Sequence, residues 1–379
     1  MTLSKLPNVG TTIFSVMSKL ANENNAVNLG QGFPNFEMDQ KLAERVYHYM
    51  SNGYNQYSPM PGIAELRQTL SSKIEKLYGH KYNWDSEITI TAGGTQAIYT
   101  AITALVHEDD EVILFAPAYD CYAPAIELNG GKSVWVDLHY PDYKVNWESV
   151  KKLINHKTRM IVLNSPHNPS GTCLSKADML QLEKIVSGTD IIVLSDEVYE
   201  HIVFTEEGHQ SVTRFPSLVK QSLAVYSFGK TFHNTGWKMG YITGPEQYMV
   251  EFRKVHQFNV FACNTPIQYA LNDYLQNEDT YLSLPNFYKT KRDIFLHAIE
   301  NSRFEFTTAN GTYFQLLSYS PISTEKDTEL AIRLTKEMKI ASIPCSVFYP
   351  NHLDERVLRF CFAKDEATLE QAGRILSSI

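Results

Sequence analysis

The chain has 379 residues, 43% apolar and 20% charged, with 34 Lys+Arg against 42 Asp+Glu and a net charge of -8. That composition excludes wholesale disorder, the acidic balance without a basic stripe argues against nucleic-acid binding, and no apolar run approaches a membrane span. The cysteines Cys121, Cys173, Cys263, Cys345 and Cys361 are scattered and never form C-x-x-C, so neither a disulfide framework nor a metal site is expected, and a reducing cytoplasm fits.

The length allows two domains or one large one with appendages. Residues 1–38 belong to no repeating pattern and read as an arm that is part of a smaller domain; the opening MTLSKLPNVGTT lacks the charged-then-apolar pattern of a signal peptide. Residues 62–78 place Ile63, Leu66, Leu70, Ile74 and Leu77 on one helical stripe. Short branched and apolar runs follow at 87–91, 111–115, 133–138, 160–164, 191–195 and 222–228. Those at 111–115, 160–164 and 191–195 are nearly continuous, which marks strands buried on both faces. Helical stretches at 95–106, 147–154 and 175–187 separate them, so the repeated strand–helix unit predicts an α/β fold with a mainly parallel sheet between helices. Residues 39–278 make this large domain, and 279–379 a smaller α+β one. In the latter, 279–301 reads as one or two helices, 304–320 as two strands around Asn310–Gly311, 357–362 as a strand and 365–377 as a closing helix.

Ligands of such sheets bind beyond the carboxyl ends of the strands. After 87–91 come Gly93, Gly94, Thr95 and Gln96, where a helix start can offer N–H groups to an anion, although a plain tight turn fits as well. After 160–164 comes Ser165-Pro166-His167-Asn168-Pro169-Ser170-Gly171, a rigid turn that can present the Asn168 amide. After 191–195 comes Asp196, which either faces a cation or caps the next helix, and then Tyr199. After 222–228 comes Lys230 among Phe228, Phe232 and Trp237, surroundings that lower an ammonium's pKa and free its nucleophile; Lys238 lies eight residues on. A nucleophilic lysine, a buried acid, an anion cradle, a fixed amide and aromatic plates together match pyridoxal 5′-phosphate.

With these segments, and with NLGQGFP (28–34), APAYDCY (116–122), VHQFNVFACNTPIQ (255–268) and VLRFCFAK (357–364), the chain resembles the class I, fold-type I pyridoxal-phosphate aminotransferases, in the methionine aminotransferase and kynurenine–glutamine transaminase branch. The resemblance runs from about residue 28 to the C-terminus and implies a seven-stranded sheet. It implies that Lys230 bonds the cofactor's aldehyde and shuttles a proton, that Asp196 pairs with the pyridinium nitrogen, and that Tyr199 and Asn168 bond the ring's 3′ oxygen. Tyr119 would stack on the ring, with Gly94, Thr95, Gln96, Ser227, Lys238 and a partner subunit's Tyr57 on the phosphate. Arg359 and the Gly32 N–H would take the substrate carboxylate, and Phe14, Phe33, Asn168 and a partner-supplied Phe261 the rest. Lys238 stands where many members have arginine, a point charge in place of a fork.

The implied activity moves the amino group of an L-amino acid to a 2-oxo acid by a ping-pong cycle. Methionine is the expected donor, then aromatic, kynurenine or glutamine-like side chains; cysteine-S-conjugate β-lyase is the alternative on the same fold. A site completed by Tyr57 of a neighbour implies a homodimer. No Walker lysine follows a glycine loop, and GGTQA lacks the G-x-G-x-x-G spacing.

Overall fold

The computed structural model describes residues 3–7 and 9–379. A helix, Ile13–Glu23, starts at Thr12, whose side-chain oxygen accepts the Ser15 N–H and so satisfies one donor that a helix start leaves over. The two-residue strand β1 (Val27–Asn28) follows. The helix Ala64–Tyr78 buries Leu66, Leu70 and Ile74 as its stripe predicts, and ends at Gly79 with φ +83°.

The main sheet holds β2 (Ile88–Thr91), β3 (Glu111–Ala116), β4 (Lys132–Asp137), β5 (Thr158–Asn164), β6 (Ile192–Asp196), β7 (Ser222–Ser227) and β8 (Gly240–Thr243). Their order is β2-β8-β7-β6-β5-β3-β4. Neighbours from β7 to β4 run parallel, while β8 is antiparallel to both β2 and β7. Continuous apolar runs arise because both faces are covered. Val112, Leu114, Val162 and Leu194 enter one core with Ile98 and Ile102, while Ile113, Phe115, Ile161 and Val193 enter the other with Leu66 and Met179. The strand β8 escapes the sequence pattern because it is four residues long and begins with glycine.

Beyond residue 300 come β9 (Phe314–Ser318), β10 (Ile340–Ala341), β11 (Ile343–Pro344) and β12 (Val357–Cys361). An antiparallel sheet runs in the order β11-β12-β9, and β1 pairs in parallel with β10, which ties the N-terminal segment to this region. The stretch 279–301 forms the helices Asp279–Leu282 and Leu284–Ala298. The expected hairpin at 304–320 is only half realised. Phe314–Ser318 is a strand, but the first arm makes a single bridge, Glu305 to Ser318. The Gln315 side chain explains this: its amide donates to Thr307 O (2.9 Å) and accepts the Ala309 N–H (3.1 Å), replacing a backbone ladder. The Asn310 and Gly311 N–H groups instead donate to Gly171 O, at 2.9 and 2.8 Å. The turn is thereby docked on the proline loop after β5.

Candidate active site

A cavity of about 440 Å³ opens at the carboxyl ends of β5, β6 and β7. Lys230 enters it from the short helix Phe228–Thr231, begun by Ser227, whose hydroxyl accepts the Lys230 N–H at 3.3 Å. Burial pulls the Lys230 amine down to about 8. Its Nζ donates to the Gly32 carbonyl at 3.1 Å and the Tyr313 hydroxyl at 3.0 Å.

Asp196 ends β6 and is 3% exposed. Burial pushes its carboxyl up to about 6, against the lowering effect of two hydrogen bonds. Oδ2 accepts the Tyr122 hydroxyl at 2.6 Å, and Oδ1 the Val198 N–H at 3.3 Å. The latter closes a turn two residues on, so the capping alternative is met in part, although no helix follows. Tyr199 stands edge-on to Tyr313 at 5.2 Å, and burial raises its hydroxyl pKa.

At the end of β2, Gly93 has φ +82°, and a Cβ on Gly94 would lie 2.9 Å from Val198 Cγ1. The first intrahelical bond runs from Ala97 N–H to Gly93 O, which leaves the N–H groups of Gly94, Thr95 and Gln96 without acceptors among the described residues. Lys238 and Ser227 line the same end of the cavity, and Tyr119 stands on its wall. Gln96 is expected among the phosphate contacts; its side chain accepts the Ala92 N–H and bonds Thr100 and His256. Only its backbone N–H is left for an anion.

Arg359 comes from β12 and is 1% exposed. It donates to Asn168 Oδ1 at 2.7 Å and Gly30 O at 3.0 Å, and its Nε is buried without a partner among the described residues. Phe314 lies 4.0 Å from the guanidinium carbon and Phe14 5.2 Å, ring centroid to cation. Because Arg359 takes the oxygen of the Asn168 amide, the nitrogen end remains to donate. Phe33 and Gly32 also line the cavity, whereas Tyr57 and Phe261 do not. Tyr57 is 82% exposed and packs edge-on against Phe261 at 5.1 Å.

Three residues here have no role assigned from the sequence. Asn164 is the last residue of β5; its Nδ2 donates to Asp196 O at 3.0 Å and its Oδ1 accepts the Asn168 N–H at 2.8 Å. Tyr122 lies within the segment APAYDCY, so position after a strand could have flagged it. Tyr313 had no local signal, since it meets Lys230 across 83 positions of sequence. Among the described residues no cluster of His, Cys, Asp and Glu could hold a metal, and no helix is long and apolar enough to cross a membrane.

Comparison with known proteins gives the same picture over nearly the whole chain. Residues 24–376 match the family Aminotransferase class I and II. The methionine aminotransferase of Escherichia coli (strain K12) is 48% identical over 377 residues, 99% of this chain and 98% of that protein. The kynurenine–oxoglutarate transaminase of Dictyostelium discoideum is 32% identical, covering 96% of this chain and 93% of its own. Among solved structures, Escherichia coli YbdL, identified as a methionine aminotransferase, superposes with a TM-score of 0.98 at 48% identity, covering 100% of both chains. N-succinyldiaminopimelate aminotransferase from Mycobacterium tuberculosis gives 0.95 at 32% identity, again over 100% of both. The architecture is that of the fold-type I enzymes, and the chain belongs to the class I and II aminotransferases.

Proposed function

We propose that this aminotransferase binds pyridoxal 5′-phosphate in the cavity around Lys230 and takes methionine as its preferred amino donor, with aromatic, kynurenine and glutamine-like donors next. The family is pyridoxal-phosphate-dependent. The residues of this chain fit that group. Three unpaired N–H groups with Lys238 and Ser227 suit a phosphate, a buried acid suits a basic ring nitrogen, and a depressed amine suits an aldehyde. When bound, the cofactor supplies the aldehyde and a cationic ring that takes up the electron pair left on the substrate carbon.

The chain's own groups do the rest. Asp196 would hold the ring nitrogen's proton, which its buried carboxylate favours strongly. Asn168 and Tyr199 would donate to the ring's oxygen, and Tyr119 would lie against the ring. Arg359 grips the substrate carboxylate as a fork, helped by the Gly32 N–H, and so fixes which bond to Cα faces the reacting position. Lys230 would accept the Cα proton at Nζ and give it back in the return half of the exchange. Release of one oxo acid before entry of the next makes the cycle ping-pong.

Phe14 and Phe33 border the cavity, which favours an apolar or aromatic side chain, and among the described residues the cations lining it besides Arg359 are Lys230 and Lys238, both assigned to the cofactor. The carrying observation for the donor is the 48% identity to a methionine aminotransferase over 99% of this chain. Tyr57 and Phe261, outside their own cavity and exposed, support a homodimer in which they complete the neighbour's site. We also propose residues 1–38 and 279–379 as the smaller domain around 39–278, supported by the β1–β10 pairing, and a cytoplasmic location, supported by five free cysteines. Initial rates across a panel of L-amino acids with one oxo acid test the donor. Methionine should lead and aromatic amino acids follow; aspartate ahead of both would contradict the assignment.

A further inference from the structure

The proton transfer assigned above to Lys230 needs a neutral amine with its lone pair toward the substrate, and the structure holds a device that provides this. Nζ lies 3.0 Å from the Tyr313 hydroxyl and 3.1 Å from the Gly32 carbonyl oxygen, and that hydroxyl lies 2.6 Å from the same carbonyl. The three polar atoms close a triangle. The hydroxyl has one proton and gives it to Gly32 O, so toward Nζ it can only accept. A neutral amine has two N–H bonds and one lone pair. The two oxygens lie on the same side of Nζ, 2.6 Å from each other, so N–H bonds turned toward them leave the lone pair directed away from them.

Tyr313 is itself held rigidly. It is fully buried, edge-on to Tyr199 at 5.2 Å and to Phe314 at 4.9 Å, with Tyr288 at 5.7 Å on another side. Its carbonyl accepts the Phe362 N–H at 2.9 Å, which ties its backbone to the end of β12. The other titratable or charged groups that bear on Lys230 are Asp196 from β6, Arg359 and Cys361 from β12, Lys238 and Tyr199. None of them is hydrogen-bonded to Nζ among the described residues.

We propose that Tyr313 is a positioning residue for the amino transfer: with the Gly32 carbonyl, its hydroxyl anchors the released Lys230 amine so that the lone pair faces the substrate Cα. This rests on Lys230 being the base. In the step it serves, the Cα–H bond breaks and an N–H bond forms at Nζ, and the electron pair passes to the sink that the cofactor supplies. Without the hydroxyl the amine keeps one anchor and turns about its terminal bond. Fewer encounters are then productive, in the way small misplacements cost large factors in rate.

The test uses Tyr313→Phe in the cofactor-loaded full chain, which keeps the ring packing and deletes one hydroxyl. Two readouts are compared with wild type. One is the rate with L-methionine carrying hydrogen or deuterium at Cα. The other is equilibrium binding of α-methylmethionine, which has no Cα proton, followed by cofactor absorbance. The proposal requires kcat to fall about 10- to 100-fold, the deuterium effect on kcat to rise, and analogue binding to hold. Unchanged kcat and isotope effect would overturn it. So would a fall in kcat with weakened analogue binding and an unchanged isotope effect, the pattern of a merely structural contact. Should the phenylalanine protein not fold, 3-fluorotyrosine at 313 makes the hydroxyl a poorer acceptor, and the acid limb of kcat must then move to lower pH; an unmoved limb would overturn the proposal. A wild-type enzyme that exchanges with no amino acid defeats the reading of Lys230 first.

Discussion

Asp196 shows how one buried side chain trades stability for chemistry. Burial pushes its carboxyl up to about 6, although Tyr122 and the Val198 N–H both favour the ionised form. In the unfolded chain the same group ionises near pH 4. Between those values the folded protein keeps the proton that the unfolded chain has lost, so stability falls as pH rises through the window, by about 3 kcal/mol in all. Lys230, held near 8, stays protonated in both states there and does not contribute. In the cofactor-free protein, denaturant unfolding should therefore show wild type losing stability relative to Asp196→Asn from pH 4 to 7. Parallel profiles would show that the carboxyl ionises as it does in water. Asp196 and Lys230 were legible in the sequence because each comes at or just after the end of a run that had to be a strand, whereas Arg359 was marked only by the family resemblance. Tyr313 and Asn164 were not legible, because their partners are set by tertiary contact. The Gln96 side chain is engaged by the Ala92 N–H four residues away, so its backbone N–H is the group it can offer an anion.

Between elements, one tight fit is where β8 passes the Gly93 turn. A Cβ on Gly240 would lie 2.5 Å from the Tyr226 carbonyl oxygen and 3.2 Å from Gly93 Cα. Both contacts are backbone, so neither can swing aside. Gly240→Ala should displace the Gly93 turn and weaken cofactor retention about tenfold, in line with about 1–3 kcal/mol for an overpacked contact. Residual cofactor absorbance after dialysis measures this, and retention equal to wild type would count against it. The main-sheet strands were legible wherever burial on both faces wrote an unbroken apolar run. The strand β8 was not, because its glycine answers to packing rather than to pattern. The hairpin at 304–320 failed for a related reason: the Gln315 side chain and the Gly171 carbonyl take the hydrogen bonds that a second strand would have used.

The molecule as a whole presents more aromatic surface than a lone chain needs. Tyr57 is 82% exposed and Phe258 86%, with Phe261 packed on Tyr57. If two chains share their sites, a Tyr57→Ala protein and a Lys230→Ala protein, each impaired alone, should regain activity when mixed and allowed to exchange subunits. Each mixed dimer then has one site with both residues intact. No recovery on verified exchange would mean that each chain works alone. The central claim, that Lys230 carries the cofactor and hands it to a methionine amino group, has a still more direct test. Purified protein loaded with pyridoxal phosphate is given L-methionine and no oxo acid while its visible spectrum is recorded. The lysine-bound band should bleach with release of one oxo acid per site, and the Lys230→Ala protein should not turn over. A band that persists unchanged with methionine and with every other amino acid would contradict the account.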